Sequence, residues 1–340
     1  MKALVLGCLC LLFGFRSPAA TNLPSSALQL DDKTVIELTS SLIQYENPAS
    51  VTGKLSSLGG GVTTILVNRW ASEFATLHPE AEFDIQSGGS AEGMAKLLLG
   101  QVDIVPMTRP MAAAEIARFK TKFGYDPAQV VVAQDAVAVY VNKDNPLTGL
   151  TLSQLEAIYS RQPRDTSSSV EFWSDLGVTG PLANERIARV SLSRAHGSYA
   201  FLQEEVLHGT DYRFDIRFEA VPGSLVQAAG ADAAAIGCAS VMFATERTRF
   251  VPLQASDGIW LLPTYNNTVS DRYPLVRPLR IVFNRKPDGG MNPVARELLR
   301  FAVSRRGQRI IALADSYPLT LQQQQQALQV IGETPAQQHQ

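Results

Sequence analysis

The sequence predicts an α/β protein of two domains, built on a sheet in which parallel strands dominate. Short apolar runs alternate with helical patterns from Ser56 onward, and the turns before the helices are rich in glycine and hydroxyl groups. Such a strand-turn-helix alternation is typical of a parallel-rich sheet, whose ligand crevice lies beyond the carboxyl ends of its strands. A chain of 340 residues with ordinary apolar content is also long enough for two hydrophobic cores.

The first 20 residues have the composition of a secretory signal peptide. Lys2 precedes an apolar run over 3–15, and small residues follow at Ser17 and Ala19. The run is too short to cross a bilayer. We therefore expect an exported protein, periplasmic or secreted, that loses its first 19 or 20 residues. A lipoprotein signal ending at Cys8 is the less favoured alternative.

The first regular element after this region is a helix over 65–77. Leu66, Trp70 and Phe74 recur at helical spacing and mark a buried stripe, which is a commoner role for such aromatic residues than a ligand platform. A glycine-rich turn, SSLGGGVTT, opens the helix, and a strand follows it. Residues 21–55 are polar, and we expect them to form an extension packed on the first domain.

The most informative stretch runs from Gln86 to Pro110 and reads QSGGSAEGMAKLLLGQVDIVPMTRP. It predicts a glycine turn that ends at Ser90, a helix over 92–99, a short strand, and a second turn at Thr108 and Arg109. The N-terminus of a helix carries free N–H groups and about half a positive charge. Both turns are therefore candidate anion sites that need no lysine. Two ordinary glycine-rich turns are the alternative interpretation.

Later elements follow the same pattern. Further strands are predicted over 130–132, 136–141, 189–192, 235–238 and 275–283. Thr151 and Gln154 predict a capping box at the start of a helix. The turn RAHGSYAF repeats the chemistry of the central stretch, because it offers Arg194, a glycine and Ser198 at the entry to a helix. Pro278 within the last strand indicates an edge position or a bulge.

Composition argues against several classes of function. The net charge is −2 and no basic face is evident, so nucleic acid is not an expected partner. The four histidines, at positions 78, 196, 208 and 339, lack the spacing of a metal site, and no cofactor is expected. A hydrolase is also not expected. His196 and Ser198 are two residues apart, and no G-x-S-x-G motif occurs.

The order of elements divides the chain into two lobes. The expected division is a signal peptide at 1–20, the extension at 21–55, a first lobe from 56–138 and 275–320, a second lobe from 139–274, and a tail at 321–340. The strand at 275–283 brings the chain back to the first lobe. The tail is rich in glutamine, and we expect it to be solvated and frayed.

With these turns placed, three segments resemble the phosphate-binding proteins, the periplasmic solute receptors of phosphate ABC importers. They read GGSAEGMAKLLLGQVDIVPMTRPM, AVYVNKDNPLTGLTLSQLEAIYS and HGSYAF, and the likeness covers most of 56–319. The resemblance implies a type II periplasmic-binding-protein fold, in which two α/β lobes joined by a two-strand hinge close on a dehydrated phosphate without catalysis. An ABC permease would be the partner, and we expect a monomer.

The resemblance also implies a set of site residues. Ser90 matches the serine of the family's Gly-Ser loop, and Thr108 falls where the family has Asp or Ser. A carboxylate at that place accepts the proton of a protonated phosphate, so with Thr108 discrimination against sulfate should be poor. Arg109 has counterparts in many members. The expected ligand-binding residues are Gly61, Thr63, Ser90, Ala91, Thr108, Arg109, Arg194, His196, Gly197 and Ser198.

The third loop fits the family pattern, an arginine followed after three residues by Ser-Gly-Thr, in two registers. In the first, residues 196–198 stand for Ser-Gly-Thr and Leu192 replaces the arginine. In the second, Arg194 is the family's arginine. The aromatic residues that follow favour the first register, with Arg194 reaching the site from a shifted position.

The first loop departs further from the family. Gly59, Gly60, Gly61 and Val62 stand where the family usually places Ser or Thr, and Thr63 is the nearest hydroxyl. Each lost hydroxyl bond to an anion costs roughly 1.5 to 3 kcal/mol, so two losses weaken binding by a few powers of ten. The sequence thus allows a weak phosphate receptor, a receptor for another oxyanion, or an exported sensory or interaction protein with a degenerate anion site.

Overall fold

A computed structural model of the protein describes residues 24–28, 30–46, 50–165 and 170–333. The expected signal peptide lies outside these ranges. The strands are β1 (Gly53–Gly59), β2 (Ala81–Ser87), β3 (Ile104–Met107), β4 (Ala128–Asn142), β5 (Ala188–Leu192), β6 (Arg217–Glu219), β7 (Ala235–Ser240), β8 (Thr248–Val251), β9 (Leu253–Gln254), β10 (Trp260–Leu261) and β11 (Val276–Phe283).

Helices connect these strands. They are α1 (Asp32–Thr39), α2 (Gly61–Leu77), α3 (Ser90–Leu99), α4 (Ala113–Phe123), α5 (Leu152–Tyr159), α6 (Gly197–Glu205), α7 (Pro222–Ala231), α8 (Tyr265–Val269), α9 (Pro293–Val303), α10 (Arg305–Ala312) and α11 (Leu321–Ile331). Short 3₁₀ turns lie at Ser25–Leu28, Trp173–Leu176 and Val241–Phe243. Among the described residues, no helix is both long and apolar enough to cross a membrane.

One sheet runs through both halves of the molecule. Its order is β2-β1-β3-β11-β4-β7-β5-β6, with β8 paired to β4. β1 is parallel to β2 and β3, and β5 is parallel to β6 and β7, whereas β11 and β4 pair antiparallel to their neighbours. Each half is therefore parallel-rich, as predicted, and the carboxyl ends of its strands lead into the turns that the sequence singled out.

Two adjacent chain segments join the halves. β4 is 15 residues long, and its residues 128–136 pair with β11 while 137–142 pair with β7 and β8. Beside it the chain returns, because Leu275 O accepts a hydrogen bond from Val137 N at 2.9 Å. Each half has its own hydrophobic core, around Trp70 in the first lobe and around Trp173 in the second. The two-lobed fold with a two-strand hinge is thus confirmed.

Local signals placed many elements correctly. Leu66, Trp70 and Phe74 are buried on α2, and Trp70 Nε1 donates to Gly307 O at 2.9 Å, which ties α2 to α10. Thr151 and Gln154 form the expected capping box, with Gln154 N donating to Thr151 Oγ1 at 3.1 Å.

The first and last strands of the first lobe correct two expectations. β1 begins at Gly53, so part of the expected extension is a strand inside the sheet. β11 lies between β3 and β4, which rules out the edge position for Pro278. The bulge is confirmed, because the register with β4 shifts between Leu279 and Arg280.

The N-terminal extension contacts both lobes, whereas packing on the first was expected. Ser25 Oγ donates to Thr245 O at 3.0 Å in the second lobe. Further along, Ile43 O accepts from Arg305 N at 2.8 Å in the first lobe. Residues 24–28 and 30–46 therefore form a strap across the junction.

The expectation of a solvated tail is wrong for residues 321–331, which form α11. Thr320 caps this helix, and Ala327 and Ile331 are buried against the first-lobe core. Gln324 is fully buried, and its side chain bonds Ile43 N, Ile43 O and Val303 O at 2.8 to 3.0 Å. Gln324, on α11, thus connects the strap, α9 and α11 through hydrogen bonds.

We predict that Gln324→Ala destabilises the protein by about 2 kcal/mol, because three buried backbone groups lose their partner. Urea denaturation monitored by tryptophan fluorescence measures this free energy. Gln326→Ala, on the exposed face of the same helix, is the matched control and should change stability by less than about 0.5 kcal/mol. Equal midpoints for the two variants would contradict the structural role of α11.

Candidate functional site

Four turns meet where the two lobes touch. Three are the starts of α2, α3 and α6, whose N-cap residues are Gly60, Gly89 and His196. The fourth is the turn after β3, which holds Thr108. The first, second and fourth belong to the first lobe, and the start of α6 belongs to the second. The N–H groups of three helix starts therefore point into one region.

The first-lobe turns are close enough to share a ligand. A Cβ placed on Gly60 would lie 3.7 Å from Ser90 N and 3.9 Å from Ser90 Oγ. Ser90 is the first residue of α3, and the preceding Gly89 is the N-cap without a side-chain bond. The N-cap of α3 is therefore the glycine, and the serine side chain does not cap the helix. The N–H and hydroxyl of Ser90 face the turn of α2, and Ala91 is the next residue of the first helical turn.

Gly61 connects the first lobe to the second. Its φ is +67°, a left-handed conformation that favours glycine. A Cβ there would lie 3.0 Å from Thr108 Cγ2 and 3.8 Å from His196 Cε1. The sequence lacks a side-chain hydroxyl at this place. The backbone of Gly61 instead lies close to the side chains of Thr108 and His196.

Thr108 and Gly197 close the cleft. A Cβ on Gly197 would lie 2.0 Å from Thr108 Oγ1, so the helix start and the threonine are in direct contact. Thr108 is 1% exposed, and its hydroxyl has no hydrogen-bond partner among the described residues. A buried hydroxyl without a partner is uncommon and costly in a native structure. It marks a place where a ligand oxygen would complete the bonding.

Thr63, an expected ligand-binding residue, makes a hydrogen bond within the first lobe. Its hydroxyl donates to Met107 O at 3.0 Å, inside the first lobe. The bond fixes the start of α2 against the end of β3. The nearest hydroxyl of the first loop is thus occupied in holding two turns together, and backbone N–H groups remain as that loop's donors.

The two arginines chosen from the sequence are engaged elsewhere. Arg109 binds both carboxylate oxygens of Glu115, at 2.9 and 2.7 Å. Although burial raises the pKa of Glu115, the bonds from Arg109 and the Ala112 N–H hold it below its usual value. Arg194 is exposed, with its guanidinium carbon 5.7 Å from the centre of the Tyr199 ring.

A third arginine, missed in the sequence, contacts the third loop directly. Arg277 Nη1 donates to Ser198 Oγ at 2.9 Å, and its Nε donates to Asp135 Oδ2 at 2.9 Å. The other oxygen of Asp135 accepts from Ser240 Oγ at 2.6 Å. The Arg277 side chain is 2% exposed and that of Asp135 is fully buried. A charged residue in the apolar strand VRPLRIVF was the available signal, but it does not name a partner.

The electrostatics of this cluster follow from burial. Burial raises the pKa of Asp135, and the contacts with Arg277 and Ser240 oppose that rise. Burial, followed by the charge of Arg277, lowers the pKa of His196 to about 4. The imidazole is therefore neutral near pH 7, and its Nδ1 accepts from Ser198 N at 3.2 Å as the cap of α6.

The arrangement is suited to holding an anion. It combines helix N-termini, hydroxyls and one buried guanidinium. No group of His, Cys, Asp or Glu among the described residues has the geometry of a metal site.

Comparison with known proteins agrees with this geometry. A model described as a PBP superfamily domain matches residues 46–306. The phosphate-binding protein PstS of Pseudomonas aeruginosa is 30% identical over 293 residues, which cover 86% of this chain and 91% of that protein. The chain belongs to the PstS-like phosphate-binding family.

Other family members are more distant. PstS of Staphylococcus epidermidis is 26% identical over 261 residues, covering 75% of this chain and 76% of that protein. A phosphate ABC transporter substrate-binding protein from Clostridium perfringens, solved with bound phosphate, superposes with a TM-score of 0.65 at 22% identity, covering 79% of this chain and all of that one. At this identity the likeness concerns the fold alone. The resemblance seen in the sequence is confirmed at the level of family and fold.

We predict that Gly197→Ala holds the cleft of this family member open. The new Cβ would meet Thr108 Oγ1 at 2.0 Å, so the lobes must separate. Small-angle X-ray scattering, with and without phosphate, should show a larger radius of gyration than for the wild type. Adding Thr108→Ala should restore it, because the nearest remaining threonine atom, Cβ, is 3.4 Å away.

The control for this variant is Gly223→Ala, near the start of α7, where an added Cβ meets nothing within 4 Å. It should leave the radius of gyration unchanged. A wild-type radius for Gly197→Ala would show that the contact between Thr108 and Gly197 does not limit closure.

Proposed function

We propose that this protein is the exported capture component of a phosphate ABC importer and binds phosphate in the cleft between its lobes. The observation that carries this proposal is the buried, unpartnered hydroxyl of Thr108, enclosed between Gly61 and Gly197 where three helix N-termini meet. A tetrahedral oxyanion presents acceptors in several directions and can engage these donors together. The family to which the chain belongs consists of transport receptors, not enzymes.

In this proposal, backbone N–H groups do much of the binding. The starts of α2, α3 and α6, which include Gly61, Ala91 and Gly197, supply them. Hydroxyls come from Ser90, Thr108 and Ser198. The aligned peptide dipoles favour negative charge even where the first loop has lost its hydroxyls. Affinity should be lower than in a receptor with complete hydroxyl loops.

Arg109 and Arg194 remain untested as anion ligands. Arg109 would have to leave a two-point contact with Glu115, and Arg194 would have to leave the face of Tyr199. Their contacts with Glu115 and Tyr199 argue for supporting roles, and each serves as a control in ligand titrations.

The cellular setting is part of the proposal. Cleavage of the first 19 or 20 residues would release a monomer to the periplasm or cell surface, where an ABC permease would receive the phosphate. One structural neighbour, from Clostridium perfringens, is named as a phosphate ABC transporter substrate-binding protein, which supports the importer in this proposal.

We predict a 1:1 calorimetric titration of the mature protein with phosphate, and sulfate binding within about tenfold of it, because Thr108 offers no carboxylate to reject a fully ionised anion. Molybdate is the third anion to test. Thr108→Asp should raise the ratio of phosphate to sulfate affinity by at least about tenfold, since a carboxylate accepts the proton of hydrogen phosphate and repels sulfate.

Thr108→Asn is the matched control, with the same size and no charge, and should not gain selectivity. Absence of heat with all three anions at millimolar concentration would overturn the proposal. It would favour the sensory or interaction protein with a degenerate site.

A further inference from the structure

We propose that Arg277, on the hinge strand β11, supplies the guanidinium that binds the anion. It would replace the arginine that the resemblance placed in the third loop, where this chain has Leu192. This inference rests on the proposed function and identifies the cation of the same site.

Arg277 lies beside the third loop. Arg277 Nη1 reaches Ser198 Oγ at 2.9 Å, in the first turn of α6. Ser198 follows Gly197, which touches the unpartnered hydroxyl of Thr108. The guanidinium therefore bonds to the residue next to the glycine that contacts this unpartnered hydroxyl. It reaches the third loop from the side of the hinge, from a strand 79 residues away in sequence.

The guanidinium of Arg277 has N–H donors that the described part of the protein does not use. A guanidinium has five N–H donors. Nε is hydrogen-bonded to Asp135 and Nη1 to the neutral hydroxyl of Ser198, while Nη2 lies 2.8 Å from Asp135 Oδ2 without hydrogen-bond geometry. An anion that shares or replaces the contact with Ser198 would form a charge-assisted bond where a neutral one now exists.

The neighbouring arginines contact other groups. Arg109 is paired with Glu115, Arg194 is exposed on Tyr199, and Arg280 Nη1 donates to Pro278 O at 3.1 Å. Arg277, in contrast, is buried and donates to the hydroxyl of Ser198 in the α6 turn. Its burial excludes competing water, which strengthens an ionic contact with a ligand.

The arrangement gives Asp135 and Arg277 opposite effects on binding. They are direct Cα partners, one on each strand of the hinge. Asp135 neutralises the guanidinium, and a second anion at Arg277 would compete with it. Removing the carboxylate should therefore strengthen anion binding, and removing the guanidinium should weaken it. If the ion pair had only a structural role, both losses would weaken binding, because either one damages the same hinge contact.

The test compares Arg277→Gln and Asp135→Asn by calorimetric titration of the mature protein with phosphate. We expect Arg277→Gln to weaken binding by at least about tenfold, the least that a lost charge-assisted bond costs. Asp135→Asn should bind phosphate as tightly as the wild type or more tightly. Arg280→Gln, three residues further along the strand, should stay within about twofold.

Arg277→Gln leaves a buried carboxylate unpaired, and the cost of that charge can prevent folding. The double variant Asp135→Asn/Arg277→Gln keeps two hydrogen-bonding groups of similar size without a buried charge. Thermal denaturation establishes its fold, and its phosphate affinity should be lower than that of the wild type by at least about tenfold. Arg277→Lys, which keeps the charge, should bind phosphate more tightly than Arg277→Gln or the double variant.

The outcomes separate this inference from the proposed function. No binding by the wild type would overturn the proposed function itself. If the wild type binds phosphate and either neutral variant at Arg277 binds it within about twofold, Arg277 is not the anion's guanidinium. Equal weakening by Asp135→Asn and Arg277→Gln would also overturn the inference, because it would show a hinge contact with no ligand role.

Discussion

Asp135 and Arg277 are paired between the two strands that join the lobes. Through Arg277, this ion pair is hydrogen-bonded to Ser198 at the start of α6. Removing one partner of a buried ion pair costs about 3 to 5 kcal/mol, because the other charge is left without compensation. The carboxylate is further fixed by Ser240 of the second lobe, and the guanidinium by Ser198. A pair this expensive to bury is weak evidence for stability alone. Its bond to Ser198, next to the glycine that contacts the unpartnered Thr108 hydroxyl, is the reason we propose a role in recognition.

Close backbone approach is the second constraint on the site. Gly61 and Gly197 allow Thr108 to sit between the lobes, and the threonine hydroxyl is left without a protein partner in the described part of the chain. The sequence suggested that the first loop had lost hydroxyl ligands. In the structure, the backbone of Gly61 and of Gly197 lies close to the Thr108 side chain. In the proposed site, recognition would therefore depend more on N–H groups and one buried guanidinium than on side-chain hydroxyls.

Local signals account for what the sequence predicted well. Helical spacing identified α2, capping residues identified α5, and Gly100 and Gly124 end α3 and α4 in the left-handed conformation, as glycine permits. β1 was missed because GKLSSLG has few apolar residues, although its neighbours in the sheet bury it. α11 was missed because a run of glutamines carries little apolar signal, and the burial of Gln324 depends on distant carbonyls.

The site shows the same division between local and distant information. The turns at Gly61, Ser90, Thr108 and 196–198 were found because each precedes a helix or carries a family motif. The pair of Asp135 and Arg277 was not found, because 142 residues separate its members and only the return of the hinge strand aligns them. Sequence neighbours of the turns, Arg109 and Arg194, were chosen instead. Proximity along the chain did not predict which cation the fold would bring to the cleft.

A crystal structure of the mature protein grown with phosphate would test the central claim most directly. The account predicts one phosphate in the cleft, with oxygens at hydrogen-bond distance, about 2.7 to 3.2 Å, from Thr108 Oγ1 and from a guanidinium nitrogen of Arg277. Phosphate bound in the cleft by Arg109 or Arg194, with Arg277 still bonded only to Asp135 and Ser198, would contradict it.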